Sequence, residues 1–194
     1  ARTPERWEQL QDQIVEGLLA WHRHDSGGCV GMVDSTQENV WPHWYRQRVE
    51  MLWSTLNLYH DTGLTMQDKR ILFRSRESLP QLFSDFNDNC VLVHGCFTLR
   101  SMLKDARTDQ LLAMVGPGMM LWAPREYELF RLADGGLGEQ LLWRYLQRAP
   151  VAESFVWRRW LYQLWDEVES LVNTGRFDRA RFSFAAKSIL PWIA

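Results

Sequence analysis

Apolar residues recur every three or four positions over most of the chain, which is the spacing of an amphipathic helix. Near the start, one such face comprises Trp7, Leu10, Ile14, Leu18 and Trp21, in a helix expected to end near His24. The same spacing predicts further helices over residues 42–60, 125–133, 137–148, 151–173 and 177–190. Helices therefore account for most of the predicted structure.

Capping and turn residues refine this pattern. Thr65 is followed three residues later by Asp68, a capping-box-like pair that predicts a helix start, with Ile71 and Leu72 on the buried face. Residues 78–80 open a short helix that is expected to run through Phe86. Residues 25–40 are rich in Gly, Asp, Ser and Thr, which predicts a loop.

The pattern changes at residue 90. Residues 90–93 read Cys-Val-Leu-Val between polar segments, which is typical of a short buried strand. Residues 102–103 and 111–115 predict two further strands, joined by a polar turn over residues 105–109. The sequence thus predicts a mainly α (α+β) protein in which helices surround a small central β-hairpin.

The predicted helix over residues 151–173 carries an aromatic stripe that includes Trp157, Trp160 and Trp165. The stripe has the spacing of a core face, and Arg158, Arg159, Asp166 and Glu167 are expected on the solvent side. A tryptophan platform for a carbohydrate or a partner is the alternative, which contiguous exposed indoles would favour.

Composition excludes several classes of function. The net charge of −2 gives no basic footprint for nucleic acid, and no apolar run approaches the length that crosses a membrane. The three cysteines are an odd number without a Cys-x-x-Cys pair, and a secretory signal pattern is lacking, so we expect a cytoplasmic protein. The spacing of the histidines does not match a zinc site.

The segment over residues 90–118 carries the candidate chemistry. His94 and Gly95 follow the predicted strand, Ser101 lies five residues after Cys96, and Gly116 follows the last strand of the hairpin. This order resembles the catalytic segment of the aminoglycoside phosphotransferase and choline kinase superfamily, the small-molecule branch of the protein-kinase-like fold. That family has an apolar strand, His-Gly-Asp, four residues, Asn, a hairpin, an apolar strand and Asp.

The first predicted helix supports the resemblance, since residues 19–25 are similar to the family's Leu-Ala-x-Leu-His-x-x-Asp. The resemblance implies that residues 1–194 are a C-terminal lobe with the kinase-like fold. It also implies a nucleotide-binding N-terminal lobe before Ala1, as the missing partner of this lobe. The family transfers the γ-phosphate of ATP, with Mg²⁺, to a hydroxyl group of a small molecule.

The chain departs from the family at three positions, where Cys96, Ser101 and Gly116 replace the catalytic Asp, the Asn and the metal-binding Asp. At an ordinary pKa of about 8.5 a thiol is mostly protonated at pH 7, and sulfur is a poor ligand for Mg²⁺. A serine would hold a metal-bound water weakly, and glycine offers no side chain. We therefore expect a pseudoenzyme (a pseudokinase) that binds a small-molecule ligand or a protein partner and needs no cofactor in this chain.

Several alternatives stay open at this point. Asp105 and Glu126, with Glu128 nearby, could supply relocated metal ligands in an active phosphotransferase. The resemblance also implies that an acidic residue in the region of Glu126 and Glu128 orients the loop and does not bind metal. Arg100 and Lys104 flank the loop and could bind an anion such as phosphate, or be solvated charges. Cys96 is either a reactive thiol or an inert residue that fills space. His94-Gly95 would also suit the oxyanion hole of an α/β-hydrolase, but the chain has no Gly-x-Ser for its nucleophile.

Overall fold

The computed structural model describes residues 4–59, 62–133 and 137–193. The described helices are α1 (Pro4–Trp21), α2 (Trp41–Leu56), α3 (Met66–Glu77), α4 (Leu79–Leu82), α5 (Glu126–Leu132), α6 (Leu137–Arg148), α7 (Phe155–Thr174) and α8 (Arg179–Ile189). The strands are β1 (Cys29–Met32), β2 (Gln37–Glu38), β3 (Val91–Val93), β4 (Met102–Lys104), β5 (Leu111–Met114) and β6 (Leu121–Ala123). The predicted mainly α (α+β) class is confirmed.

The chain divides into two compact units. The first unit comprises residues 1–38 and 88–151 and contains α1, α5, α6 and the described strands. The second comprises residues 39–87 and 152–194 and contains α2, α3, α4, α7 and α8. The candidate loop after β3 lies in the first unit.

The first unit contains an antiparallel sheet in the order β2-β1-β6-β3, and β4 and β5 form the predicted hairpin. The prediction of a loop over residues 25–40 is therefore wrong in part, because β1 and β2 form there. Strand β6 was not expected either. These strands have two to four residues, and they are stabilised by distant pairs such as Gly31 with Trp122, which local patterns do not reveal.

Helix α1 packs its apolar face as expected, with Leu10, Ile14 and Leu18 buried, and it ends at Trp21. The next residue, His22, is 7% exposed, and its Nδ1 lies 2.7 Å from the hydroxyl of Tyr145 in α6. Burial, assisted by the charge of Arg125, lowers the pKa of His22 to about 3. The imidazole is therefore a neutral link between α1 and α6.

In the second unit, the predicted capping box of α3 is present. The Thr65 hydroxyl accepts from the Asp68 amide at 3.1 Å, and the Asp68 carboxylate accepts from the Thr65 amide at 2.7 Å. Three helix ends differ from expectation. Helix α2 ends at Leu56, although the spacing predicts that it reaches residue 60, which lies outside the described residues. Helix α4 ends at Leu82 instead of Phe86, and α7 begins at Phe155 instead of residue 151.

Arg158 corrects the expected polar face of α7. Its side chain is fully buried and donates to the Leu82 carbonyl at 3.3 Å and to the Asp85 carboxylate at 3.1 Å. Helical spacing alone assigned it to solvent, but a guanidinium with a carboxylate and a carbonyl as partners is stable inside a protein. Glu167, also expected on the solvent side, is 5% exposed.

The tryptophans of α7 contact other rings of the second unit. Trp165 is 1% exposed, while Trp157 and Trp160, which are half-buried, pack against Trp192 and Phe184 at 4.6 and 5.2 Å between ring centroids. These contacts favour the core interpretation over a platform.

Over the described residues, no helix combines the length and the apolar character that a membrane span requires.

The buried histidine predicts a specific pH dependence. The pKa of His22 is lowered in the folded state from its ordinary 6.5, so the unfolded chain binds a proton that the folded chain excludes. This contribution to stability is present above about pH 6.5 and is lost as the pH falls toward 3, by at most about 1.4 kcal/mol per pH unit. In urea denaturation between pH 6.5 and 4, the free energy of unfolding should fall less steeply with pH for His22→Gln than for the unchanged protein. Equal slopes, or an NMR titration of His22 near pH 6.5, would contradict this.

Candidate functional site

The candidate loop follows β3 and bends sharply at Gly95. Gly95 has φ +82°, and a Cβ atom there would lie 1.9 Å from the backbone oxygen of Met119. Both the left-handed conformation and the close backbone approach require glycine. Gly95 of the motif is therefore a structural requirement of this turn.

One buried carboxylate holds the loop in place through hydrogen bonds. Glu128 of α5 is fully buried, and its two oxygens accept hydrogen bonds from three backbone amides. The donors are the amides of His94, of Gly95 at 3.3 Å and of Phe97 at 3.3 Å. Burial raises the pKa of Glu128, while Arg131 and the three N–H groups act in the opposite direction. Glu128 thus positions the loop, the role that the resemblance implies for an acidic residue of this region.

Cys96 faces the turn that follows β5. Its Sγ lies 3.4 Å from the Gly116 carbonyl oxygen, accepts from the Gly118 amide at 3.2 Å and lies 3.7 Å from His94 Nδ1. The Nε2 of His94 is 3.1 Å from the Val115 carbonyl, which can only accept a hydrogen bond. Burial lowers the pKa of His94, so the ring is neutral, carries its proton on Nε2 and leaves Nδ1 as an acceptor.

Ser101 closes the loop on itself. Its hydroxyl donates to the Cys96 carbonyl at 3.5 Å and accepts from the Thr98 amide at 3.3 Å. Its backbone oxygen accepts from the Val115 amide at 2.8 Å, which joins the loop to the end of the hairpin. The side chain therefore serves the shape of the loop.

Gly116 completes the cluster. It has φ +69°, and a Cβ atom at this position would have open space around it. The structure therefore brings together His94, Cys96, Ser101 and Gly116, as the spacing predicts. They are linked mainly through hydrogen bonds to the backbone.

The residues of the hairpin are held by local contacts. The Asp105 carboxylate accepts from the amides of Thr108 at 2.7 Å and Arg107 at 2.8 Å, which lowers its pKa. Lys104 forms an ion pair with Asp109. These contacts stabilise the hairpin turn, and a role for Asp105 in metal binding or for Lys104 in anion binding stays a prediction.

Arg100 and Glu126 differ in their surroundings. Arg100 lies on the short 3₁₀ turn of the loop with an exposed side chain, and within the described ranges its guanidinium has no hydrogen-bond partner. Glu126, in the first turn of α5, is 1% exposed. Arg100 is thus available to an anion in solvent, and the predicted role of Glu126 as a relocated ligand stays a prediction.

The donor groups of the cluster do not fit Mg²⁺, which binds oxygen ligands such as carboxylates. The three family positions offer the thiol of Cys96, the hydroxyl of Ser101 used within the loop, and Gly116, which has no side chain. Over residues 4–59, 62–133 and 137–193, no group of three His, Cys, Asp or Glu side chains is arranged to hold a metal ion. These three positions therefore do not provide a set of ligands for Mg²⁺.

The order of the helices, the hairpin and the loop after β3 corresponds to that of solved proteins with a kinase-like fold. The structure is similar to the fructosamine-3-kinase-like protein of Thermobifida fusca, with a TM-score of 0.73 and 19% identity over 98% of this chain and 67% of that one. It is also similar to APH(2″)-IIa in its gentamicin complex, with a TM-score of 0.61 and 16% identity over 97% and 64% of the two chains. The predicted resemblance is confirmed, at these identities as a likeness of fold.

At the level of sequence, the chain is 77% identical over all its 194 residues to the uncharacterised protein YcbJ of Escherichia coli K12, and equally to YcbJ of Shigella flexneri. The chain spans 65% of the length of these curated relatives. No protein-family model matches the chain.

The bend at Gly95 predicts a large difference between two glycine substitutions. Gly95→Ala should lower the free energy of unfolding by more than about 3 kcal/mol, because the methyl group meets the Met119 backbone. Gly27→Ala is the matched control, since Gly27 also has a positive φ but open space around it. It should cost only the backbone strain of about 1–2 kcal/mol. Equal losses of unfolding free energy for the two variants, measured by urea denaturation, would contradict the close approach of Gly95 to the Met119 backbone.

The hydrogen bonds to Glu128 predict a graded loss of stability in two variants of this residue. Glu128→Ala leaves three buried amides without an acceptor and should lower the free energy of unfolding by at least about 3 kcal/mol. Glu128→Gln keeps one acceptor oxygen and should lose roughly half as much. Hydrogen exchange of the amides of His94, Gly95 and Phe97 should accelerate in the same order. Unchanged exchange in the alanine variant would refute the positioning role.

Proposed function

We propose that this protein is a pseudoenzyme, a pseudokinase that retains the phosphotransferase-like fold for binding a ligand or a protein partner. The main support is the environment of Cys96. Its thiol, at the family position of the catalytic base, contacts the Gly116 carbonyl and the Gly118 amide of the turn after β5. A side chain engaged in this way holds two loops together instead of orienting an acceptor hydroxyl.

The requirements of phosphoryl transfer support the same proposal. The reaction needs a carboxylate to orient the nucleophile and metal ions to neutralise charge on the transferred phosphoryl group. In this chain the carboxylate nearest to the loop in the described contacts is Glu128, whose oxygens accept from backbone amides. Converting Glu128 into a metal ligand would sacrifice the hydrogen bonds that position the loop.

The second candidate is an active ATP-dependent transferase with relocated metal ligands. One observation favours it: the exposed Arg100 beside the loop offers a cation to a phosphate group. The same cation would also serve a pseudoenzyme that binds a phosphorylated ligand. A cytoplasmic location is part of the proposal, and the free thiols of Cys29, Cys90 and Cys96 support it.

The proposal predicts the outcome of a nucleotide-binding and turnover experiment on the natural full-length protein. We expect ATP with Mg²⁺ to stabilise the fold no more than ATP with EDTA, and a panel of hydroxylated compounds to receive no phosphate. A metal-linked nucleotide at a hundred times its dissociation constant would add about 2.7 kcal/mol, which thermal denaturation resolves easily.

An active aminoglycoside phosphotransferase in the same assays provides the positive control. Metal-dependent stabilisation together with turnover would contradict the proposal and favour the second candidate. Loss of that turnover in Asp105→Ala or Glu126→Ala would then identify the relocated carboxylate. Arg100→Gln is the companion variant, which should weaken binding of a phosphorylated ligand in either case.

A further inference from the structure

Helices α1 and α6 lie side by side in the first unit and run in the same direction. Near their first residues, Trp7 Nε1 of α1 donates to Gln140 Oε1 of α6 at 3.3 Å. Further along both helices, Arg148 of α6 forms an ion pair with Glu16 of α1. The partners therefore stay in step along the two helices, and a groove of about 460 Å³ opens between them at the end where both begin.

Each helix contributes a tryptophan to this groove. Trp7 is half-buried, and its N–H is used in the hydrogen bond to Gln140. Trp143 is 63% exposed, which makes it the most exposed indole of the part of the chain that the structure describes. The face of an indole is apolar and carries a negative electrostatic potential, so it attracts cations that lie flat against it.

Each helix also contributes a carboxylate. Glu8 and Glu139 line the groove and are exposed, and within the described ranges Glu8 forms no hydrogen bond or ion pair. Arg144, the positive residue of the lining, pairs with Asp12 at 2.7 Å and donates from Nε to Gln11 at 3.1 Å. Asp12 thus balances its charge. Each helix start adds roughly half a positive charge, less than the two glutamates carry together, so the groove is negative.

The second unit contains the same combination of groups around a cation. The Arg76 guanidinium lies over the Trp53 ring, 5.6 Å from its centroid. Its Nε is 3.3 Å from a Glu50 carboxylate oxygen, and its Nη2 is 2.8 Å from one of Glu77. A planar guanidinium stacks on an indole with its face while its edge donates to carboxylates. An indole with two carboxylates is therefore an arginine site within this chain itself.

We propose that the groove between α1 and α6 binds an arginine side chain of a protein partner. The guanidinium stacks on Trp143 and donates to Glu8 and Glu139. Because these three residues are exposed, a side chain on the surface of another protein can reach them. Lysine fits less well, since its ammonium is more strongly hydrated and does not stack. Tryptophan and arginine are also the residues that most often dominate the binding energy of protein interfaces.

The proposal goes beyond the pseudoenzyme function and does not depend on it, because no residue of this groove belongs to the loop after β3.

The test is an NMR titration of the full-length protein with the blocked tripeptide Gly-Arg-Gly. The matched peptide contains citrulline, which has the shape of arginine without its charge. We expect saturable shifts of the indole N–H signals of Trp7 and Trp143 with the arginine peptide. The citrulline peptide should bind at least about tenfold more weakly, and a lysine peptide at least about threefold more weakly.

Variants of exposed residues test each part of the groove. Glu8→Gln should weaken binding of the arginine peptide at least about fivefold, and Trp143→Ala at least about threefold, as followed at Trp7. Trp143→Phe keeps an aromatic face and should bind more tightly than Trp143→Ala. Glu38→Gln is the matched control, since this exposed glutamate of β2 undergoes the same change of charge outside the groove. It should leave the affinity unchanged.

Three results would overturn the proposal: no saturable shift of either indole signal, a citrulline peptide that binds as tightly as the arginine peptide, or an unchanged affinity in Glu8→Gln or Trp143→Ala. None of these results bears on phosphoryl transfer, which is measured separately with ATP.

Discussion

The loop after β3 depends on the carboxylate of Glu128. Three backbone amides donate to this buried group, which is the acceptor that the described residues provide for them. The close approach of Gly95 to Met119 and the bonds of Ser101 to Cys96 and Thr98 follow once the loop is held there. The shape of the loop is therefore fixed largely by groups other than those that perform chemistry in the family it resembles.

This separation would allow the loop to keep its shape after a loss of phosphoryl transfer, which is what we propose for this protein. The carboxylates and the amide expected by resemblance are replaced by Cys96, Ser101 and Gly116, yet each replacement takes part in the local hydrogen bonding. The thiol joins the loop to the turn after β5, and the hydroxyl closes the 3₁₀ turn. Loop geometry is thus compatible with residues that suit neither Mg²⁺ nor proton transfer at neutral pH.

The sequence predicted those parts of the fold that depend on local patterns. Helical spacing located α1 and α7, Thr65 with Asp68 located the start of α3, and the apolar runs located β3 and the hairpin. Strands β1 and β6 were missed because they are short and are stabilised by pairing between residues about ninety positions apart. The burial of Arg158 was missed because its partners lie in another part of the chain.

The candidate site shows the same limit. Order and spacing predicted that His94, Cys96, Ser101 and Gly116 lie together. The direction of the Cys96 thiol, and the choice between Glu126 and Glu128 as the residue that orients the loop, depend on three-dimensional contacts. The unpartnered Nε2 of His22 could not be predicted either, since it is recognised only by the lack of a hydrogen-bond partner for a buried ring nitrogen among the described residues. A buried polar atom is informative only once its neighbours are known.

The central claim is that the loop no longer holds a divalent cation, and paramagnetic NMR tests it most directly. Mn²⁺ substitutes for Mg²⁺ at oxygen sites and broadens nearby amide signals. With Mn²⁺ and ATP added to the full-length protein, we predict no selective broadening at Cys96, Ser101 or Gly116. Saturable broadening centred on these residues, reversed by excess Mg²⁺, would contradict the account.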